Sequence, residues 1–387
     1  MSAAIYLDNL ASTPLAPRAR RAMARWLEDD FGNASSSTHE YGWRAAQAVQ
    51  EAREQLARLI GARLSSEVVF TSGATESNNT VLKGIVEAFP GSASHIVTSA
   101  IEHSSIIAPC QVLAGRGASV TQVRPDSEGI IHPEEVQRAI RKDTRVISVM
   151  AVNNEIGTVQ PVAEIAQIAR SHGALLHVDA SQAVAKLDID VERLGVDLMS
   201  ISAHKLNGPK GVGALYIRSG ALPSGLPPLM HGGGQELGRR AGTLPVAQIV
   251  GFGEAARLAL LRWREDMGRV DELTRVLWDR LRSAVCDIQL NGSAERRVPG
   301  CLNFSAKGVP SDALIAATPE LALSSGSACS SEHGGDSHVL EALGFDAPRR
   351  RGAVRVGIGP YNTTEEVRIA GELIAAAIAR IRDGNLG

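Results

Sequence analysis

Leu198-Met199-Ser200-Ile201-Ser202-Ala203-His204-Lys205 is the stretch on which the fold turns. Its first five residues read as a strand, and Ser202, His204 and Lys205 stand where that strand ends. The pattern recurs upstream. Leu175-Leu176-His177-Val178-Asp179, Arg145-Val146-Ile147-Ser148-Val149-Met150, His95-Ile96-Val97-Thr98 and Glu67-Val68-Val69-Phe70-Thr71 also read as strands. Amphipathic stretches such as Pro161 to His172 separate them. This alternation predicts an α/β fold with a mostly parallel central sheet and helices on both faces. Downstream the pattern changes. A long charged amphipathic helix runs from about Glu254 to Val285, followed by short strands (Cys301 to Ser305, Val354 to Ile358) and a last helix from Thr364 to Ile381. That part reads as a smaller α+β domain. The expected division is 16–255 for the large domain, and 1–15 with 256–387 for the small one.

Composition narrows the functional classes. The chain has 387 residues, 44% hydrophobic and 21% charged, with a net charge of −2. These values suit an ordinary globular enzyme and give no reason to expect a nucleic-acid partner. No apolar run approaches the roughly 18 residues of a membrane span, and Met1 to Tyr6 does not read as a signal peptide. The four cysteines, Cys110, Cys286, Cys301 and Cys329, form no CxxC pair. Neither a metal site nor a disulfide framework is expected, and a reducing cytoplasm is the expected location.

The polar groups cluster at strand ends, where open α/β sheets bind ligands. After Thr71 comes Ser72-Gly73-Ala74-Thr75-Glu76-Ser77-Asn78-Asn79, a glycine turn into a helix. The first N–H groups there, with Ala74 and Thr75, can hold a phosphate; a helix start without a ligand is the plain alternative. Asp179 can pair with a pyridinium nitrogen and Gln182 can reach the phenolic oxygen of the same ring, or Asp179 simply caps a helix. Lys205 suits a Schiff base, its pKa lowered by desolvation and a cationic ring, with Ser202 and His204 on a cofactor phosphate. A surface lysine beside the Gly208-Pro209-Lys210-Gly211 turn is the other reading. His103, in Ile101-Glu102-His103-Ser104-Ser105, can stack on the ring and move protons or be purely structural. Asn154 adds an amide at another strand end. Arg355, on an apolar strand, suits a substrate carboxylate or an internal ion pair.

Ser324-Ser325-Gly326-Ser327-Ala328-Cys329-Ser330-Ser331 surrounds one thiol with small residues. Such a segment has little to bury and is expected to move, so its thiol can meet a substrate and then an acceptor. An incidental surface cysteine is the alternative. A metal set of Cys329, His333, Asp336 and His338 matches no standard spacing.

With these pieces in place, the chain from Leu7-Asp8 to about Arg382 resembles the cysteine desulfurases of the NifS/IscS type, fold-type I pyridoxal-phosphate-dependent transferases. The resemblance rests on Leu7-Asp8-Asn9-Leu10-Ala11-Ser12-Thr13-Pro14, Phe31-Gly32-Asn33, Phe70 to Ser77 and Val152-Asn153-Asn154-Glu155-Ile156-Gly157. It continues through His204-Lys205, His231-Gly232-Gly233-Gly234-Gln235-Glu236, Arg239 to Thr243, and the cysteine loop, which looks like that of the long-loop subgroup. It implies a pyridoxal 5'-phosphate cofactor joined to Lys205, with His103 stacked on the ring, Asp179 at its nitrogen and Gln182 at its hydroxyl oxygen. Ala74, Thr75, Ser202 and His204 fall at the phosphate, which Thr243 reaches from the other subunit of a homodimer. Asn154, also placed beside the cofactor, and Arg355 hold the carboxylate of L-cysteine.

The implied reaction yields L-alanine and a persulfide on Cys329, which passes to a protein acceptor for iron–sulfur cluster assembly or another thiolation pathway. A selenocysteine lyase or an aminotransferase is the alternative, and Cys329 speaks against the latter. Three departures from the family stand out: the ending at Leu386-Gly387, the segment Glu332-His333-Gly334-Gly335-Asp336, and Ala34 in place of a proline. The first two predict weak binding of an iron–sulfur scaffold or service to a different acceptor.

Overall fold

A computed structural model describes residues 4–89, 94–222, 225–325 and 337–384. Seven strands form one sheet in the spatial order Val68–Thr71, Gly213–Ile217, Leu198–Ser202, Leu175–Asp179, Thr144–Met150, His95–Ser99, Ser119–Val123. Pairing is parallel from Leu198–Ser202 through to Ser119–Val123. It is antiparallel on both sides of Gly213–Ile217. Successive side chains of a strand face opposite ways, and here both faces are covered. Ile96, Val146 and Leu198 join a core with Val81, Leu82 and Ile106 from the helices Ala74–Ala88 and Ser104–Ala114. Their neighbours Val97, Ile147 and Met199 join a core on the other face with Leu56, Ile165 and Phe252. Double burial explains why these strands are apolar at successive positions rather than strictly alternating.

A second sheet has the order Ser324–Ser325, Ala353–Gly357, Cys301–Ala306, Ile288–Leu290, antiparallel throughout. Phe304, Val354 and Val356 pack against Val367, Ile374 and Ile378 of the helix Thr364–Arg382. Leu7 lies in the same core, and Ile5–Tyr6 pairs in parallel with Leu321–Ala322. The helix Val246–Ala284 runs through both regions: Ile249 and Phe252 belong to the first core, Leu273, Leu277 and Leu281 to the second. Positions 255 and 256, where the sequence places a boundary, lie inside this helix. The helix also begins well before Glu254. Gly251 and Gly253 sit in it as contact residues; a Cβ on Gly253 would come within 2.6 Å of Ala52 Cβ.

Candidate active site

The carboxyl ends of the parallel strands open into one cavity of about 600 Å³, within the size range of small-molecule sites. Ala74, Thr75, His103, Asn154, Asp179, Gln182, Ser202, His204, Lys205 and Arg355 all line it. All but Arg355 come from segments that follow strands of the seven-stranded sheet at the same edge, so that sheet gathers them, while Arg355 comes from the four-stranded sheet. Thr243 is exposed and lies outside this lining. Cys329, with Glu332 to Asp336, falls outside the described residues.

At one end, the helix Ala74–Ala88 starts from Gly73 at φ +153, and no side chain caps it. Glycine is needed for that backbone, and Gly213 lies so close that a Cβ on it would come within 2.6 Å of Gly73 Cα. Ser202, His204 and Lys210 line the same cavity. Burial, reinforced by Lys205, Lys210 and Lys186, pushes His204 down to about 4. Its Nδ1 lies 3.2 Å from Ser12 Oγ. Uncapped N–H groups, a hydroxyl and lysine make a setting suited to a phosphate.

Lys205 follows the strand Leu198–Ser202 in a short 3₁₀ turn, Ala203–Lys205. It is half-buried, and its Nζ donates to the carbonyls of Leu10 at 2.5 Å and Ala11 at 2.9 Å. Gln182 Nε2 donates to the same Leu10 carbonyl at 2.7 Å, and Gln182 Oε1 accepts from Lys186 Nζ at 2.6 Å. Burial, and after it the nearby Lys205, pushes Lys186 down to about 7. Asp179 is buried at its strand end. Oδ1 accepts from the backbone and hydroxyl of Ser181 at 3.0 and 2.5 Å; Oδ2 accepts from Asn78 Nδ2 at 2.8 Å. Asp179 thus caps the following turn and also presents a buried carboxylate to the cavity.

His103 is the N-cap of the helix Ser104–Ala114, its Nδ1 accepting from Ser105 N–H at 3.1 Å. This histidine therefore has a structural role, and it also lines the cavity. Burial lowers its pKa, opposed by Asp179 and supported by Lys205 and His338. Arg355 is likewise both things. It donates to Asp8 Oδ1 at 2.9 Å, to the Asn154 carbonyl at 2.9 Å and to Ser324 Oγ at 3.3 Å. Among the described residues its Nε is buried without a partner, and Arg355 lines the cavity.

Sequence reasoning missed several lining groups. Glu155 is buried and, despite Ser337 and Arg355, burial pushes it up to about 7. It accepts from Ser337 Oγ at 2.5 Å. His338, next in the chain, lies with its Nε2 2.9 Å from the Glu102 carbonyl. Ser105 also lines the cavity. No local pattern places Glu155 and His338 here, because Ser337 and the Glu102 carbonyl that hold them lie 182 and 236 residues away. Cys110 and Cys301 are buried, but Cys286 is exposed in a turn, with Arg382 Nη1 3.3 Å from its sulfur.

The uncapped helix start, the buried Asp179, the half-buried Lys205 and the cavity volume fit pyridoxal phosphate. The family model described as Aminotransferase class-V matches residues 5–369. The chain belongs to this family and, within it, to the cysteine desulfurases of the NifS/IscS type. Its cofactor is pyridoxal 5'-phosphate and its fold that of the fold-type I enzymes. It is 46% identical over 385 residues to "Cysteine desulfurase IscS" of Aeromonas hydrophila subsp. hydrophila, covering 99% of this chain and 95% of the relative. Among solved structures, a "NifS-like protein" is 34% identical with a TM-score of 0.90, covering 97% of this chain and 99% of its own. The structure titled "SspA in complex with cysteine" is 36% identical with a TM-score of 0.82, covering 92% and 99%. Among the described residues, no helix is long and apolar enough to cross a membrane.

Proposed function

We propose that this enzyme converts L-cysteine to L-alanine and carries the released sulfur as a persulfide on Cys329. The observation that carries the reading is the meeting of Lys205, Asp179, His103 and Arg355 in one cavity with the uncapped start of the helix Ala74–Ala88. When bound, pyridoxal phosphate supplies the electron sink that makes the substrate α-proton removable. Lys205 and Asp179 would hold it at its aldehyde carbon and ring nitrogen, Gln182 at its hydroxyl, and Ala74, Thr75, Ser202 and His204 at its phosphate. Arg355 receives the substrate carboxylate beside Asn154, with which it lines the cavity. Lys205 takes the α-proton. The Cys329 thiolate attacks the substrate sulfur, forming an S–S bond as the C–S bond breaks. The proton held by Lys205 returns as alanine forms, with help from His103.

Two further parts belong to the same reading. The enzyme is a two-fold homodimer in which Thr243 serves the neighbouring protomer's cavity; its exposed position outside its own chain's cavity supports this. The persulfide passes to a protein acceptor in the cytoplasm, a reducing compartment that suits the exposed free thiol of Cys286. In domain terms, 16–255 holds the cofactor, while 1–15 and 256–387 carry Arg355 and Cys329.

Borohydride reduction followed by peptide mass spectrometry tests the assignment. The cofactor adduct is expected on Lys205; an adduct on Lys210 or Lys186 would overturn it.

A further inference from the structure

His103 and Asp179 are joined by two side chains with no task in the mechanism above. Asn78, in the middle of the helix Ala74–Ala88, is fully buried. Its Nδ2 lies 2.8 Å from Asp179 Oδ2 and 2.8 Å from Ser105 Oγ. Ser105 Oγ lies 2.8 Å from His103 Nδ1, which also accepts the Ser105 backbone N–H.

The direction of each bond follows from what each group can do. An ionised carboxylate only accepts, so Asn78 turns its NH2 toward Asp179. The oxygen on the other side of that amide, Oδ1, is buried without a partner, so it does not set the orientation. The second proton of the same NH2 goes to Ser105 Oγ, which is therefore an acceptor there. The Ser105 hydroxyl still has one proton to give, and His103 Nδ1 is within reach. Nδ1 thus accepts from both the hydroxyl and the backbone of Ser105. A neutral imidazole with an accepting Nδ1 carries its proton on Nε2, the nitrogen left for the cavity.

We propose that Asn78 and Ser105 are positioning residues that transmit the orientation set by the Asp179 carboxylate and fix His103 as the Nε2–H tautomer. The histidine then meets the substrate as a hydrogen-bond donor rather than as a base. This division of labour leaves proton removal to Lys205. The donor role rests on the function proposed above; the tautomer does not.

The test uses the full-length protein with its cofactor, labelled with ¹⁵N in the histidine rings, and His103→Gln to identify the His103 signals. The wild type is expected to show a protonated-type Nε2 and an unprotonated-type Nδ1. Ser105→Ala should introduce the other tautomer, and Ser105→Thr should restore the wild-type pattern. In steady state, Ser105→Ala should lower kcat about tenfold with little change in KM, a fraction of the roughly 10²–10⁴ that a positioned acid or base supplies. A wild-type ring protonated on Nδ1, or ring signals unmoved in Ser105→Ala, would overturn the proposal. The ring signals decide it even in a protein that releases no sulfide. Sulfide release with an Nδ1–H ring would keep the function and sink the proposal.

Discussion

The carboxyl edge of the seven-stranded sheet and the four-stranded sheet contribute to the same cavity by different means. At the edge, Asp179 and His103 have partners close in sequence: Ser181 binds Asp179 and Ser105 binds His103, both two residues away, although Lys205 also reaches Leu10 across 195 residues. On the other side they are remote. Arg355 pairs with Asp8 across 347 residues, and Ser337 bonds Glu155 across 182. Short connections thus hold Asp179 and His103 as the strands form, while Lys205 also depends on the N-terminal segment. The second side exists only once the two ends of the chain have met. Damage at the edge should reach the chemistry itself, and damage on the other side should first reach the seating of the substrate.

The largest expected effect is at the edge. Lys205→Ala should lower sulfide release on the order of 10²–10⁴-fold, the scale of a lost positioned base, and should abolish the borohydride-fixed adduct. Near-normal turnover in this variant would break the comparison.

An intermediate effect is expected across the cavity. Arg355→Gln should raise KM for L-cysteine roughly 10- to 100-fold, the worth of a hydrogen bond to a charged group, with a smaller change in kcat. Asp8→Asn separates the two roles of Arg355. It removes the ion pair while leaving the guanidinium in place, so KM should rise less than in Arg355→Gln. Equal rises would assign the whole effect to the ion pair.

The smallest effect concerns stability. Glu102 is buried next to His103, and burial pushes its pKa from 4.5 up to about 8. Below 4.5 both the folded and the unfolded chain hold this proton, and its contribution is fully present. As pH rises toward 8, the unfolded chain loses the proton while the folded chain keeps it, so stability falls and then levels off. Glu102→Gln should therefore flatten part of the decline in Tm between about pH 5 and 8. An unchanged slope would show that Glu102 is ionised in the folded protein.

The same contrast explains what could be read in the sequence. Leu175–Asp179 and Leu198–Ser202 were legible because doubly buried strands are short apolar runs, and a parallel sheet brings their ends together. Asp179, His103 and Lys205 were legible as polar groups immediately after such runs. Asn78 was not, since a polar residue inside a helix looks like a solvated one until the fold buries it. The antiparallel strand Gly213–Ile217 escaped because it breaks the βα alternation. Arg355 left a carboxylate ligand and an ion pair as competing readings. The fold shows the ion pair to Asp8 and a place for the same residue in the cavity lining.

The central claim is that the ring chemistry and the sulfur acceptor are separate parts, with Cys329 as the acceptor. Cys329→Ala tests it most directly, read by cofactor absorbance on adding L-cysteine and by sulfide release with a reductant. The account predicts a retained spectral response and sulfide release lowered by orders of magnitude, because no second positioned thiol replaces the nucleophile. Near-normal sulfide release from Cys329→Ala would contradict it and favour direct elimination at the ring.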